Sequence, residues 1–493
     1  MLLLTIDENG SQPIYQQIID QIRQRIAGRL LLPGEKLPST RRLADQLAVH
    51  RSTVAAAYQE LWALGFIDLS PGACPRVRDR MQIATAADRP EKGLVDWDTV
   101  ASPASIATWQ THRRLEALPQ RAADDSIISF SSLNMDRRLF PLEQFRACLD
   151  RAVKAQGDTL LGYGTQAGFA PLREYIARRL QSHGVSVGAD EILITNGSQQ
   201  GIDLVFRLIA APGKAVAVES PTYDNLLPLL RFYGLKPLPI PVRRDGMDLT
   251  LLAAAIRDEK PALIYTMPTF QNPTGISTSQ AHRERLLSLC ESHRIPLLED
   301  GFEEEMKYCG RVVLPIKSMD KHQLVIYCGT FSKVLFPGVR IGWLAADKEC
   351  IDRLVAIHRF SELAPSMILQ AAIHEFCQNG HYDRHVGRMH RIFRKRMQTA
   401  IRALDRHIAP EWAEWTEPAG GFLIWLKLRP LAGPAPDWKE LLAAHGVAAA
   451  TGGSFFAGDA PDTYLRLSIS PLNEEEITEG IRRLAAALRQ AYT

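Results

Sequence analysis

A lysine whose amine is partly deprotonated by its surroundings can condense with an aldehyde. Lys333 stands in the stretch CGTFSKVLFPGVRIGW, in a polar loop directly after an apolar strand. Its neighbours Thr330, Ser332 and Arg340 bring two hydroxyls and a guanidinium, a set suited to a phosphate dianion. A second anion site is written in ILITNGSQQGIDLVF. There a strand leads through Gly197, Ser198 and Gln199 into a helix, whose first N–H groups and dipole favour negative charge. TMPTFQNPTG places Asn272 after another strand end, where its amide could donate to a phenolate-like oxygen. IPLLEDGFEEE ends an apolar strand on Asp300. Burying that carboxylate is costly without a cationic partner, and a protonated pyridine nitrogen would be one.

Taken singly, each feature is more often a plain turn or a solvated side chain. Four of them at strand ends in one chain are harder to dismiss, because ligands of open parallel sheets sit beyond the carboxyl ends of the strands. Aldehyde, phosphate, phenolate and pyridine together describe pyridoxal 5′-phosphate, which a carboxylate at the pyridine nitrogen makes an electron sink.

The elements that must position these groups begin near Ile127. Short apolar strands at Ile192–Thr195, Ala215–Glu219, Ala262–Met267, Pro296–Glu299, Val325–Cys328 and Ile341–Ala345 alternate with amphipathic helices such as Gln199–Ala210 and Gln280–His293. This alternation predicts a mainly parallel sheet covered on both faces. Residues 79 to 125 are rich in Ala, Asp, Arg, Pro and Thr and read as a linker, with a helix near Thr108–Leu118.

The first 80 residues follow a different pattern. Ile14, Ile18, Ile22 and Ile26 recur at helical spacing after Pro13. Ser39 is placed to cap a second helix and Ser52 a third, which Gly65 stops. Phe66–Leu69 and Arg76–Arg78 would then make two short strands around Pro71–Pro75. Three helices and a two-stranded ribbon describe a winged helix-turn-helix. His50, Arg51, Ser52 and Thr53 open its third helix and can donate to base edges, while Arg41 and Arg42 open the second and can reach phosphate. On pattern alone, a helical dimerisation module with solvated arginines stands equally open.

Composition sets outer bounds. The 493 residues exceed one ordinary domain, with 46% hydrophobic and 23% charged residues and a net charge of +3, too small by itself to imply nucleic acid. Seven cysteines lie scattered without CxxC spacing or a histidine cluster, as expected of reduced thiols in a cytoplasm rather than a disulfide framework or a metal site. The opening lacks the basic start and cleavage site of a signal peptide, and no run approaches the roughly 20 apolar residues needed to span a bilayer.

Two stretches carry family resemblances. PGEKLPSTRRLA followed by VHRSTVAAAYQEL resembles the GntR-type winged helix-turn-helix, which implies that Arg41, Arg51, Ser52 and Thr53 face DNA. The tip SPGACPRV departs from that family's glycine-rich wing, with Pro75 and Arg76 where small residues are usual. Residues 127–493 resemble fold-type I aminotransferases in the order NGSQQG, NPTG, ED, SK, R and RLS. Together the chain is similar to the MocR subfamily of GntR regulators. The resemblance implies a winged-helix head over 1–80, a linker over 81–125 and an α/β pyridoxal-phosphate domain over 126–493 with a smaller C-terminal α+β part.

It further implies that Lys333 carries the cofactor as a Schiff base and that Asp300 pairs with the pyridine nitrogen. Asn272 would contact the ring hydroxyl, and Tyr223 would stack on the ring. Ser198, Gln199, Thr330, Ser332 and Arg340 would hold the phosphate, joined by Tyr163 lent from a second subunit. Arg466, in YLRLSIS, matches the arginine that clamps an α-carboxylate. Phe302 stands where a tyrosine donor to the ring oxygen is usual, and Asn225 about where some members carry an arginine for a second anionic group. The implied function is a cytoplasmic, homodimeric transcription regulator sensing an amine, an amino acid or the cofactor itself. An active aminotransferase with an attached DNA-binding head is the alternative.

Overall fold

The computed structural model describes residues 2–7, 10, 12–70, 73–78, 94–116, 126–310 and 313–493. Residues 71–72, 79–93 and 117–125, where the sequence predicts a wing tip and parts of a linker, lie outside the described residues. The chain divides into two compact units, Met1–Val100 and Ala101–Thr493.

In the first unit, α1 (Ile14–Ala27), α2 (Thr40–Leu47) and α3 (Arg51–Ala63) precede a ribbon of β1 (Ile67–Asp68) and β2 (Arg76–Val77). The isoleucine stripe of α1 meets Leu43, Val54, Tyr58 and Leu61, with Ile67 and Val77 closing the core from the ribbon. Ser39 caps α2 as expected, its hydroxyl accepting the Arg42 N–H at 3.3 Å. The cap of α3 is a correction. His50, not Ser52, holds the N-cap, with extended backbone and Nδ1 accepting the Ser52 N–H at 3.3 Å. The imidazole reaches two residues into the helix, so α3 begins at Arg51 and Ser52 lies inside it. Gly65, at φ +74°, turns the chain back into β1. The strands are two residues each, shorter than their sequence pattern suggests. In them only Ile67 and Val77 point inward, facing each other in register. A short helix, α4 (Trp97–Val100), ends this unit.

The second unit opens with α5 (Pro103–Glu116), which starts earlier than its sequence pattern suggests. Pro103 suits a first helical turn, and the Ser102 hydroxyl accepts the Ser105 N–H at 3.2 Å. Next come β3 (Ile128–Ser129), α6 (Leu142–Gln156) and α7 (Ala170–Ser182). The large sheet follows: β4 (Ile192–Thr195), β5 (Ala215–Ser220), β6 (Lys236–Arg243), β7 (Gly246–Met247), β8 (Leu263–Thr266), β9 (Leu297–Asp300), β10 (Val325–Thr330) and β11 (Gly342–Ala345). Its eight strands lie in the order β4-β11-β10-β9-β8-β5-β6-β7. Neighbours from β10 to β6 are parallel, whereas β11 runs against β10 and β4, and β7 runs against β6. Every residue of β4, β8, β9 and β11 is buried, as a sheet covered on both faces requires. The helix α8 (Ser198–Ile209) leaves β4 through Gly197.

A smaller antiparallel sheet is built from β12 (Ala413–Trp415), β13 (Leu423–Leu428), β15 (Ala450–Thr451) and β16 (Tyr464–Ser468), while β14 (Val447–Ala448) pairs in parallel with β3. The segment after β3 is stitched to this part: the Phe130 N–H donates to Ala448, and the Ser468 N–H donates to the Phe130 carbonyl. That stitching carries Ser131 and Leu133 to the edge of the site. No described helix is long and apolar enough to cross a membrane.

Candidate functional site

The site gathers at the carboxyl ends of the large sheet, where β8, β9 and β10 release their chain into loops. Asp300, the last residue of β9, is buried. Burial pushes its carboxyl up to about 6, although the Tyr265 hydroxyl donates to Oδ2 at 2.8 Å and the Phe302 N–H to Oδ1 at 3.2 Å. Among the described residues no lysine or arginine forms an ion pair with it. Lys333 sits three residues past β10 and gives its Nζ to the Leu133 carbonyl at 3.2 Å. Burial lowers its pKa on balance, against the nearby carboxylates of Glu303 and Asp224 and together with the cations Arg466 and Arg340. A lowered pKa raises the fraction of neutral amine, the form that acts as a nucleophile.

An anion cradle forms beside it. The Arg340 guanidinium donates to the Asn196 carbonyl at 2.6 Å and lies against the turn that starts α8. Gly197 is required there: at φ +83°, a Cβ would stand 2.8 Å from Arg340 Nη2. Ser198 and Gln199 open α8, whose first N–H groups are unpaired within the helix. Thr330 Oγ1 accepts the Ser332 N–H at 3.1 Å, and Ser332 Oγ is buried with no partner among the described residues. The Tyr223 hydroxyl donates to Gln199 Oε1 at 2.9 Å and receives the Asn225 amide at 3.0 Å.

On the opposite wall, Arg466 of β16 donates from Nη1 to Asn272 Oδ1 at 3.0 Å and from Nη2 to the Ser131 carbonyl at 2.9 Å. Its Nε has no partner among the described residues. Because Asn272 accepts through Oδ1, its Nδ2 is left to donate. The Asn272 turn is itself held from beneath. Gln271 donates to the Pro221 carbonyl at 2.8 Å and accepts the Thr274 N–H at 3.0 Å.

The structure thus brings Lys333, Asp300, Asn272, Tyr223, Ser198, Gln199, Thr330, Ser332, Arg340 and Arg466 to one end of one sheet. Tyr163 stands apart, 87% exposed. Phe302 packs among apolar side chains of the core that includes Leu298, Tyr265 and Leu423. Two residues escaped the sequence reading. Tyr265 lies inside β8 and shows no signal beyond strand alternation. Glu303 was one letter from Phe302 in a run of three glutamates, and an acid so close to a buried strand end was the available signal.

In the head, Arg41, Arg51 and Ser52 are exposed and Thr53 is half-buried. Arg51 Nε reaches Thr40 Oγ1 at 3.4 Å, joining the starts of α2 and α3. Arg76 is tied back to the Gly34 carbonyl at 2.9 Å.

Comparison with known proteins places both units. Residues 132–484 match the aminotransferase class I and II family, and residues 14–77 match the gntR family of bacterial regulatory proteins. The uncharacterized HTH-type transcriptional regulator YdcR of Escherichia coli is 30% identical over 97% of this chain and 99% of its own length. The probable rhizopine catabolism regulatory protein MocR of Rhizobium meliloti is 28% identical over 86% of this chain and 83% of its own. The chain belongs to the MocR subfamily of GntR-type regulators. This regulator therefore joins a DNA-binding head to an aminotransferase-like domain of a pyridoxal-phosphate-dependent family. Its second unit also resembles the α-aminoadipate aminotransferase LysN of Thermus thermophilus, solved with N-(5′-phosphopyridoxyl)-L-leucine. The match has a TM-score of 0.74 and 31% identity, covering 80% of this chain and 99% of LysN.

Proposed function

We propose that this regulator reads an amine or amino acid, or the cofactor itself, through pyridoxal 5′-phosphate held at Lys333. The observation that carries the reading is the presence, at one end of the sheet, of a desolvated Lys333 and a buried Asp300 that has no cationic partner among the described residues. A protonated pyridine nitrogen would supply that partner, and the bound cofactor would supply electrophilic and electron-sink chemistry. Arg340, Ser198, Gln199, Thr330 and the Ser332 hydroxyl, which has no partner among the described residues, fit a phosphate dianion. Asn272 Nδ2 would donate to the ring oxygen and Tyr223 would lie along the ring. Arg466 would clamp an α-carboxylate, because its Nε–H, unpartnered among the described residues, and a second N–H on a terminal nitrogen can take it in a two-pronged bond.

The exposed Tyr163 supports a head-to-tail homodimer in which each subunit lends this hydroxyl to the other's phosphate. Dimerisation would set two recognition helices on two half-sites, with Arg51, Ser52 and Thr53 at base edges and Arg41 on phosphate. The head would lie within 1–80, the linker within 81–125 and the cofactor domain within 126–493.

Borohydride reduction followed by mass spectrometry tests the cofactor reading. The adduct should sit on Lys333, and Lys333→Ala should carry none. A DNA-shift assay on the upstream intergenic region, with and without candidate amines, tests the sensing. Binding that no amine, amino acid or cofactor changes would refute it. Turnover of an amino acid on the order of 10 per second would favour a working aminotransferase instead.

A further inference from the structure

Glu362 ends the helix Lys348–Glu362, and its carboxylate grips the turn that opens α8. Oε1 accepts the Asn196 side-chain amide, and Oε2 accepts the Gln200 amide at 2.8 Å. Gln200 closes the ring of bonds, its Oε1 accepting the Asn196 N–H at 2.7 Å. Asn196 is thus held at its side chain and at its N–H, while its carbonyl receives Arg340 at 2.6 Å. Gly197, Ser198 and Gln199 follow directly in the chain.

His358, one turn earlier on the same helix, is buried. Its Nδ1 lies 3.1 Å from the Gln166 carbonyl and its Nε2 lies 3.0 Å from Glu362 Oε2. A carbonyl can only accept, so Nδ1 donates there, and the contact with the carboxylate is completed when Nε2 carries hydrogen as well. Gln166 stands three residues after Tyr163. One carboxylate and one imidazole therefore join the Asn196 turn to the segment that carries Tyr163. A surface ion pair four residues apart on one helix would need neither Asn196 nor Gln200. The helix itself disfavours Glu362, because a carboxylate in the last turn faces the negative end of the dipole. Burial alone would raise its pKa, yet the hydrogen bonds from Gln200, His358 and Asn196 hold the carboxyl below its ordinary value.

We propose that Glu362 is a positioning residue of the phosphate cradle, holding Asn196 and Gln200 so that Arg340 and the first N–H groups of α8 converge on one anion. The proposal rests on the reading of this site as the cofactor site. Glu362 acts through the turn and not on the ligand. Its side-chain hydrogen bonds among the described residues run to the phosphate end of the site, whereas Asp300 and Asn272 stand at the ring end. A turn fixed beforehand does not have to be ordered when the anion arrives, which favours binding. The effect of Glu362 is therefore confined to ligands that carry a phosphate.

The test titrates the full-length, cofactor-free protein with pyridoxal 5′-phosphate and, separately, with pyridoxal, which lacks the phosphate, following absorbance. Glu362→Gln keeps the volume but sets an amide N–H against the donors of Asn196, Gln200 or His358. Its affinity for pyridoxal 5′-phosphate should fall roughly tenfold or more, while its affinity for pyridoxal stays within about twofold of wild type. A general loosening of the domain would lower both. Glu362→Asp keeps the charge but shortens the reach, and should show the same selective loss to a smaller degree. Wild-type affinity for pyridoxal 5′-phosphate in Glu362→Gln, or a loss shared equally by the two compounds, overturns the proposal. If Glu362→Gln does not fold by circular dichroism, Glu362→Asp decides by the same two criteria. A wild type that binds neither compound, or whose reduced adduct lies away from Lys333, overturns the cofactor reading and this proposal with it.

Discussion

Arg466 Nη1 donates to Asn272 Oδ1 at 3.0 Å, so the small antiparallel sheet and the turn after β8 meet in one buried hydrogen bond. The same guanidinium holds the Ser131 carbonyl, and its Nε has no partner among the described residues. Arg466→Lys keeps the charge but loses the fork. It should weaken binding of an amino acid by roughly 30-fold or more, corresponding to at least about 2 kcal/mol for a buried charged pair. The matching amine without its carboxylate should bind nearly as before. Spectral titration with both ligands separates the cases, and equal losses for the two would exclude a carboxylate clamp.

Gly197→Ala should displace Arg340. The backbone at φ +83° already disfavours a side chain, and the new methyl would press on the guanidinium. Strain of about 1–2 kcal/mol is expected, together with weaker cofactor binding, read by equilibrium dialysis of the cofactor-free protein. Arg340→Ala should weaken binding without that strain, so its melting temperature should stay closer to wild type.

Buried acids should make the cofactor-free protein less stable as pH rises. Asp300 is held at about 6, Glu219 at about 7 and Glu303 and Glu304 at about 8, each chiefly by burial. In the unfolded chain these groups ionise near pH 4. Between there and the folded values the native state holds more protons, so stability falls with rising pH and levels off above about pH 8. Melting temperatures at pH 5.5 and 8.5 should show this fall, and Asp300→Asn should reduce it. Loading the cofactor should reduce it too, by giving the Asp300 carboxylate a cation.

Tyr163 should act across subunits. Co-expression of Lys333→Ala with Tyr163→Ala would give hybrid dimers holding one site with both residues intact. Those hybrids should bind cofactor at that site with wild-type affinity, measured against each variant alone. Hybrids no better than Tyr163→Ala would show that Tyr163 serves its own subunit or none.

Arg51→Ala should cost about 1–3 kcal/mol of operator binding and relax sequence choice at one base, if Arg51 reads a base edge. Arg41→Ala should weaken all sequences alike and lower the salt slope by about one unit, as loss of a phosphate contact does. Gel shifts over a salt series distinguish the two. If neither substitution changes binding, the start of α3 does not enter the groove.

The sequence by itself determined the two-part organisation, because helical spacing in the head and strand–helix alternation after Ile127 are local patterns. It also named the residues at the strand ends, since β9 and β10 run straight into Asp300 and the Lys333 loop. It misplaced the cap of α3, because a histidine side chain can reach two residues ahead as a serine does, and which one reaches depends on backbone angles that spacing does not encode. Only the tertiary structure decided which partners these residues have. Arg466 meets Asn272 from 194 positions away in the chain, and Leu133 receives Lys333 across 200. Glu303 gains its meaning in the same way. In sequence it is one of three glutamates that solvent would normally claim. In the fold its carboxyl is closed in by Gly421 and Phe422, and its Oε1 is left without a partner among the described residues. Burial and pairing are properties of distant segments brought together, and no local pattern states them.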